Sequence, residues 1–142
     1  METYKFKDFK WDCSSDGCFN KKRRLKFGCF FKALPKRVSF SDLDGIVECF
    51  GNALILEWKY YDADSAPSRS CIPLGQQIMF ERLARAGNIS VICVAGNAED
   101  MSVKYIKKYH GNKVTEWMEG NQETLLESIS SWVAWSEKNS KI

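Results

Sequence analysis

The sequence predicts an α/β fold with a mixed β-sheet flanked by helices, and three observations carry the prediction. Residues 41–59 read as two short apolar strands joined by a tight turn. An amphipathic helical stripe, Met79, Phe80, Leu83 and Ala84, then separates that hairpin from a strongly apolar run, Ile89 to Ala95. A strand, a helix and a second strand in succession imply a parallel pair, because antiparallel neighbours need no such crossover. Third, 142 residues suit one domain around one core, preceded by a basic, cysteine-containing segment at 1–37.

Taken along the chain, Gly28 to Leu34 reads as a first strand ending before Pro35. Gly45–Phe50 and Ala53–Tyr61 form the hairpin, with Gly51-Asn52 as a two-residue type II′ turn. Asp62 to Cys71 is a polar loop rich in Ser with one Pro, the best candidate for a flexible, substrate-facing element. Pro73 and Gly75 open a helix running to about Ala86. Ser102–Tyr109 and Lys113–Trp117 read as weaker edge strands. Gln122 to Lys138 reads as a terminal helix capped by Asn121, its apolar stripe formed by Leu125, Leu126, Ile129, Trp132, Val133 and Trp135. Trp117, Trp132 and Trp135 are packing residues on this reading.

The turn sets the register of the hairpin. Counted from Gly51-Asn52, Glu48 faces Ile55, Ile46 faces Glu57 and Asp44 faces Lys59. Directly opposed residues share a face and side chains alternate with period 2. Asp44, Glu57 and Lys59 therefore project from one face, in strands that are otherwise apolar. A lone buried carboxylate is costly, and a divalent cation held by one or two carboxylates removes that cost. The alternative is a buried Asp44–Lys59 ion pair with Glu57 exposed at an edge. Asp42 points to the same face as Asp44, so either could be the acidic ligand, and direct opposition to Lys59 favours Asp44. Glu48 is a candidate extra ligand. Gln76 lies one turn before Met79, at the start of the buried helical stripe, and points at the sheet, with Gln77 the lesser alternative.

Asp44, a hairpin, then Glu57-x-Lys59 resembles the signature of the PD-(D/E)xK nuclease superfamily. Asp42-Leu43-Asp44-Gly45, Leu56-Glu57-Trp58-Lys59 and Ile72-Pro73-x-Gly75-Gln76, in that order, are similar to small, phage-borne members and span roughly residues 11 to 135. Leu43 stands where the superfamily often has proline. The resemblance implies a restriction-endonuclease-like core in which Asp44 and Glu57 hold Mg²⁺ or Mn²⁺, Lys59 positions the nucleophile or stabilises negative charge, and Gln76 contacts water or phosphate. It also implies metal-dependent hydrolysis of phosphodiesters, with DNA favoured over RNA. Many such enzymes act as homodimers.

Charge is unevenly placed. Residues 1–40 hold eleven Lys and Arg against four Asp and Glu, and the remainder holds ten against fourteen. Lys21, Lys22, Arg23, Arg24, Lys26, Lys36 and Arg37, interleaved with Phe27, Phe30 and Phe31, make an electrostatic footprint for nucleic acid. A solvated basic loop is the simpler account of the same run. Hydrophobic content of 44% with 13% aromatic residues excludes a disordered chain. No run approaches a membrane span and no signal peptide opens the sequence, so a cytoplasmic protein is expected. Disulfides are then not expected. Cys49 and Cys93 read as small core residues. Cys13, Cys18 and Cys29 offer three thiolates for structural Zn²⁺ but lack an obvious fourth ligand. His110, the single histidine, lies in a polar stretch and reads as a surface residue, which argues against histidine-based hydrolysis.

A metal-dependent endonuclease is the expected activity. Two other classes fit the same residues: a nucleic-acid-binding protein without catalysis, and a phage counter-defence protein that acts by binding other proteins.

Overall fold

A computed structural model describes residues 27–38 and 41–142. The chain divides into two units at residue 40. In the first, Phe27–Ala33 is a 3-10 helix rather than the expected strand. A short apolar run is ambiguous between the two states. Phe30, Phe31, Lys32, Lys36 and Arg37 are exposed. Lys21, Lys22, Arg23, Arg24, Lys26, Cys13 and Cys18 lie outside the described residues, as do the structural details of any Cys13–Cys18–Cys29 zinc site.

The second unit, Ser41–Ile142, is built on a six-stranded mixed sheet. Strands β1 (Gly45–Cys49) and β2 (Asn52–Tyr60) form the antiparallel hairpin. Helix α1 (Leu74–Arg85) crosses to β3 (Ile89–Asn97), which pairs parallel to β2. Strand β4 (Ser102–His110) runs antiparallel to β3, and two short strands, β5 (Lys113–Val114) and β6 (Met118–Glu119), pair with it. Helix α2 (Gln122–Lys138) closes the unit. Its start is held by a reciprocal cap between Asn121 and Thr124.

Strands β2 and β3 are covered on both faces, which explains their nearly unbroken apolar character. Phe80 and Ala84 of α1 pack over Ile55, Ile72, Val91, Cys93 and Tyr109. Leu125 and Trp132 of α2 pack over Leu54, Ile92, Val94, Val103 and Ile106. Leu126 and Val133 of the expected α2 stripe are exposed instead. Strand β4 is not the weaker edge strand expected but lies between β3 and the short β5 and β6. Val103, Tyr105, Ile106 and Tyr109 are buried, while Lys104, Lys107 and Lys108 are half-buried. Lysine stems can lie along apolar surface with their ammonium groups in water. At the far end of β3, a Cβ on Gly96 would meet the Ser102 carbonyl oxygen at 2.0 Å, so the bulge beside it requires glycine.

The hairpin turn differs from expectation by one position. Cys49 pairs with Asn52, leaving Phe50-Gly51 as the loop. Both loop residues have positive φ, 55° and 82°, the sign pattern of a type I′ turn. Asn52 is withheld from the turn because its side chain is needed elsewhere. Fully buried, its amide donates to the Ser136 carbonyl at 3.4 Å, the Ser136 hydroxyl at 3.0 Å and the Asn139 carbonyl at 3.1 Å. Ser136 in turn donates to the Cys49 carbonyl at 2.6 Å. The Lys141 amide donates to the Phe50 carbonyl, and the Gly51 amide donates to Glu48. This clasp joins the hairpin to the end of α2 and offsets the cost of a left-handed Phe50.

Two substitutions should move stability in opposite directions. Asn52→Ala removes the buried clasp and should cost about 2–3 kcal/mol in urea denaturation. Phe50→Asn matches the turn geometry and should gain about 0.5–1 kcal/mol. Loss of stability in both would contradict the turn assignment.

Candidate functional site

Strand β2 alternates between the two cores. Leu54, Leu56 and Trp58 belong to the α2 face, whereas Ile55 belongs to the α1 face, and Glu57 and Lys59 continue it. Glu57 is only 4% exposed. Its Oε1 accepts from Lys59 Nζ at 3.0 Å and from Gln76 Nε2 at 3.4 Å. Gln76 Oε1 accepts from the same ammonium at 2.6 Å. The three side chains thus close a hydrogen-bonded triangle between β2 and the first turn of α1. Three buried side-chain polar atoms among the described residues have no hydrogen-bond partner, Asn52 Oδ1, Trp132 Nε1 and the other carboxylate oxygen, Glu57 Oε2, and only the last belongs to an ionisable group. A buried charge-bearing oxygen left bare is costly and asks for a ligand.

Asp44 stands beside this triangle in a different way from the sequence expectation. The β1–β2 ladder ends with Gly45 opposite Leu56, so Asp44 is level with Glu57 and not with Lys59. Displacing the turn by one residue shifts each partner by two, which keeps every side chain on its expected face. Asp44 Oδ2 accepts the Trp58 amide at 2.7 Å, supplying an acceptor where β1 has ended. Asp44 is exposed and the buried ion pair is Glu57–Lys59, the reverse of the alternative raised from the sequence. Asp42 is exposed and lies outside the ladder. Glu48 is committed to the turn amide of Gly51. Gln77 braces the approach to α1, donating to the Arg69 and Ile72 carbonyls at 2.8 and 2.7 Å.

Strand pairing extends the ionic row across the sheet. Glu57 is level with Cys93 of β3, and Cys93 with Lys107 of β4. Asp44, Glu57, Cys93 and Lys107 therefore form a row on the α1 face. Lys107 Nζ donates to the Thr115 carbonyl at 2.8 Å. Cys93 is fully buried, and burial, reinforced by the negative charge of Glu57, pushes its thiol up to about 12. Cys71 is also raised by burial, with Lys59 opposing. Neither thiol is poised as a nucleophile. Lys107 went unrecognised in the sequence because its place in the row depends on two successive strand registers.

The Asp62–Cys71 loop is fastened rather than free. Lys104 lies 3.7 Å from Asp62 and 3.5 Å from Asp64, and donates to the Ala63 carbonyl at 3.4 Å. Tyr105 donates to the Asp64 carbonyl at 2.9 Å, Tyr61 donates to the Ser65 carbonyl, and Pro67 is buried. His110 is exposed as expected, but its Nδ1 lies 2.8 Å from Ser90 Oγ and its ring meets Trp135 edge-on at 4.5 Å.

Among the described residues no group of three or more His, Cys, Asp or Glu is placed to hold a metal ion. A hard cation such as Mg²⁺ needs fewer, since one or two carboxylates plus water and substrate oxygens complete its shell. The bare Glu57 Oε2, with the Asp44 carboxylate level with it across the hairpin, fits that donor set. No helix among the described residues is long and apolar enough to cross a membrane. Comparison of the chain with protein-family models, with curated proteins and with solved structures finds no match.

The Cys93 thiol gives a pH signature. Its folded value lies above the ordinary value of 9.0, so its contribution to stability is complete below pH 9 and lost as pH rises toward about 12. Cys93→Ala should therefore lose less stability than wild type between pH 9 and pH 11, measured by urea midpoint. Parallel pH profiles would contradict the burial of this thiol.

Proposed function

We propose that this protein is a metal-dependent nuclease with a restriction-endonuclease-like core, hydrolysing phosphodiester bonds of nucleic acid, DNA in preference to RNA. The observation carrying the reading is Glu57 Oε2. It is a buried carboxylate oxygen without a partner, in a residue whose other oxygen is bound by Lys59 and Gln76. A carboxylate meant only to neutralise Lys59 would gain nothing from keeping one oxygen bare in the interior.

Glu57 and Asp44 would hold Mg²⁺ or Mn²⁺. Such an ion lowers the pKa of bound water and polarises a phosphoryl oxygen. The chain's own contribution is positional. Lys59 carries a positive charge to the sheet surface at 19% side-chain exposure, where it can meet negative charge developing on phosphate. Gln76, fixed by Glu57 and Lys59 together, offers an amide that orients a water or a phosphate oxygen. Trp58 and Leu56, packed on the α2 core, keep Glu57 from turning to the other face. The basic segment, with Lys21, Lys22, Arg23, Arg24, Lys26, Lys36 and Arg37, would supply phosphate contacts for affinity. The resemblance to the PD-(D/E)xK superfamily also implies a homodimer, and a cytoplasmic location is expected.

Cleavage of plasmid, single-stranded, branched and RNA substrates in Mg²⁺, Mn²⁺ or EDTA tests this reading. Wild type should cut only with metal, and Glu57→Ala and Lys59→Ala should each cut about 100-fold more slowly or worse. Mn²⁺ should also raise the melting temperature of wild type but not of Glu57→Gln, a readout independent of turnover. Cleavage by Glu57→Ala at the wild-type rate would refute the assignment. Salt-sensitive retention of nucleic acid without cutting would favour a binding protein, and a stable protein complex without either would favour the counter-defence role.

A further inference from the structure

A polar cleft of about 270 Å³ lies beside the ionic row, between the 61–71 loop, α1 and the β4–β5 region. Its lining includes Arg69, Gln77, Glu81, Lys107, Glu116 and Trp117. Lys107 places it on the same face as Glu57, two strands away, or roughly 10 Å between backbones. The two adjacent glutamines of α1 divide between the sites: Gln76 binds Glu57 and Lys59, and Gln77 lines the cleft.

We propose that this cleft takes one unpaired nucleobase, so that the substrate of the Glu57 site is single-stranded or locally unpaired nucleic acid. The inference rests on the nuclease reading for the word substrate, and on the cleft alone for base binding. Trp117 is half-buried and packs against the core cluster containing Ile72 and Tyr109, so its ring is held in place and presents a stacking surface at little entropic cost. The Glu81 and Glu116 carboxylates are free of ion pairs among the described residues and accept hydrogen bonds from base amino groups. Gln77 spends its amide N–H groups on Arg69 and Ile72 carbonyls, which leaves its Oε1 as a further acceptor. The Arg69 guanidinium has no hydrogen-bond partner of its own among the described residues and is exposed at the cleft, as a phosphate contact requires. The volume is slightly below the roughly 300 Å³ at which small-ligand sites begin. It admits a base and excludes a duplex, in which bases are stacked and cannot enter a pocket without being extruded.

The test is fluorescence anisotropy with the full chain in EDTA, so that nothing is cut, using a short labelled single strand and the blunt, fully paired duplex it forms with its complement. Wild type should prefer the single strand. Trp117→Ala should weaken single-strand binding about tenfold or more, leave duplex binding unchanged, and be largely rescued by Trp117→Phe. Should Trp117→Ala fail to fold, Arg69→Ala decides, with single-strand binding again reduced more than duplex binding. Equal loss for both nucleic acids, no loss in either variant, or no binding of the single strand by wild type overturns the proposal. Base-dependent binding without cleavage in any metal upholds the cleft and removes the nuclease reading. Cleavage with unaltered single-strand binding in the variants does the reverse.

Discussion

Strand β2 must hide apolar residues on both faces and still carry an ionised pair, and the rest of the second unit is arranged around that constraint. Leu54 commits one face to α2 and Ile55 commits the other to α1. Glu57 follows on the α1 side, so the helix that buries it must also supply polar atoms. Only the first turn of α1 can do so, because Phe80 and Ala84 further along are pure core. Gln76 sits in that turn. Lys59, two residues on from Glu57, emerges where the strand nears its end and water is again within reach. A buried ion pair of this kind adds little net stability. Its place in a strand covered on both faces is the physical reason for reading it as chemistry.

Much of this was legible in the sequence, and the misses have definite causes. The bounds and cap of α2 could be read because Asn121 and a seventeen-residue stripe reinforce each other. The parallel β2–β3 pair could be read from the helix between two apolar runs. The faces of Asp44, Glu57 and Lys59 were correct although their partners were not. The turn slipped by one residue, and a period of 2 forgives a partner shift of two. What hid the true turn was Asn52, whose turn preference is overridden by a buried clasp to residues 84–87 positions away. Strand β4 was undervalued because its lysines masked a two-sided apolar pattern. Strand β6, two residues long, has no pattern to detect. The Phe27–Ala33 helix was misread because aromatic residues in a short run suit a strand equally well.

The row Asp44, Glu57, Cys93 and Lys107 also shows why a site can be invisible to searches for clustered ligands. One of its carboxylates precedes β1 and the other lies in β2, its thiol is protonated, and its distal ammonium is held by a carbonyl. Among the described residues no three acidic or thiol groups meet, yet one face of the sheet runs from two carboxylates through a neutral thiol to an ammonium.

The clasp has a further consequence for how the protein is made. Residues 50–52 emerge from the ribosome long before Ser136, Asn139 and Lys141. Until those appear, Phe50 lacks the hydrogen bond from the Lys141 amide and the Asn52 side chain lacks its Ser136 and Asn139 acceptors. The turn of the first hairpin is thus fastened by residues from the other end of the second unit.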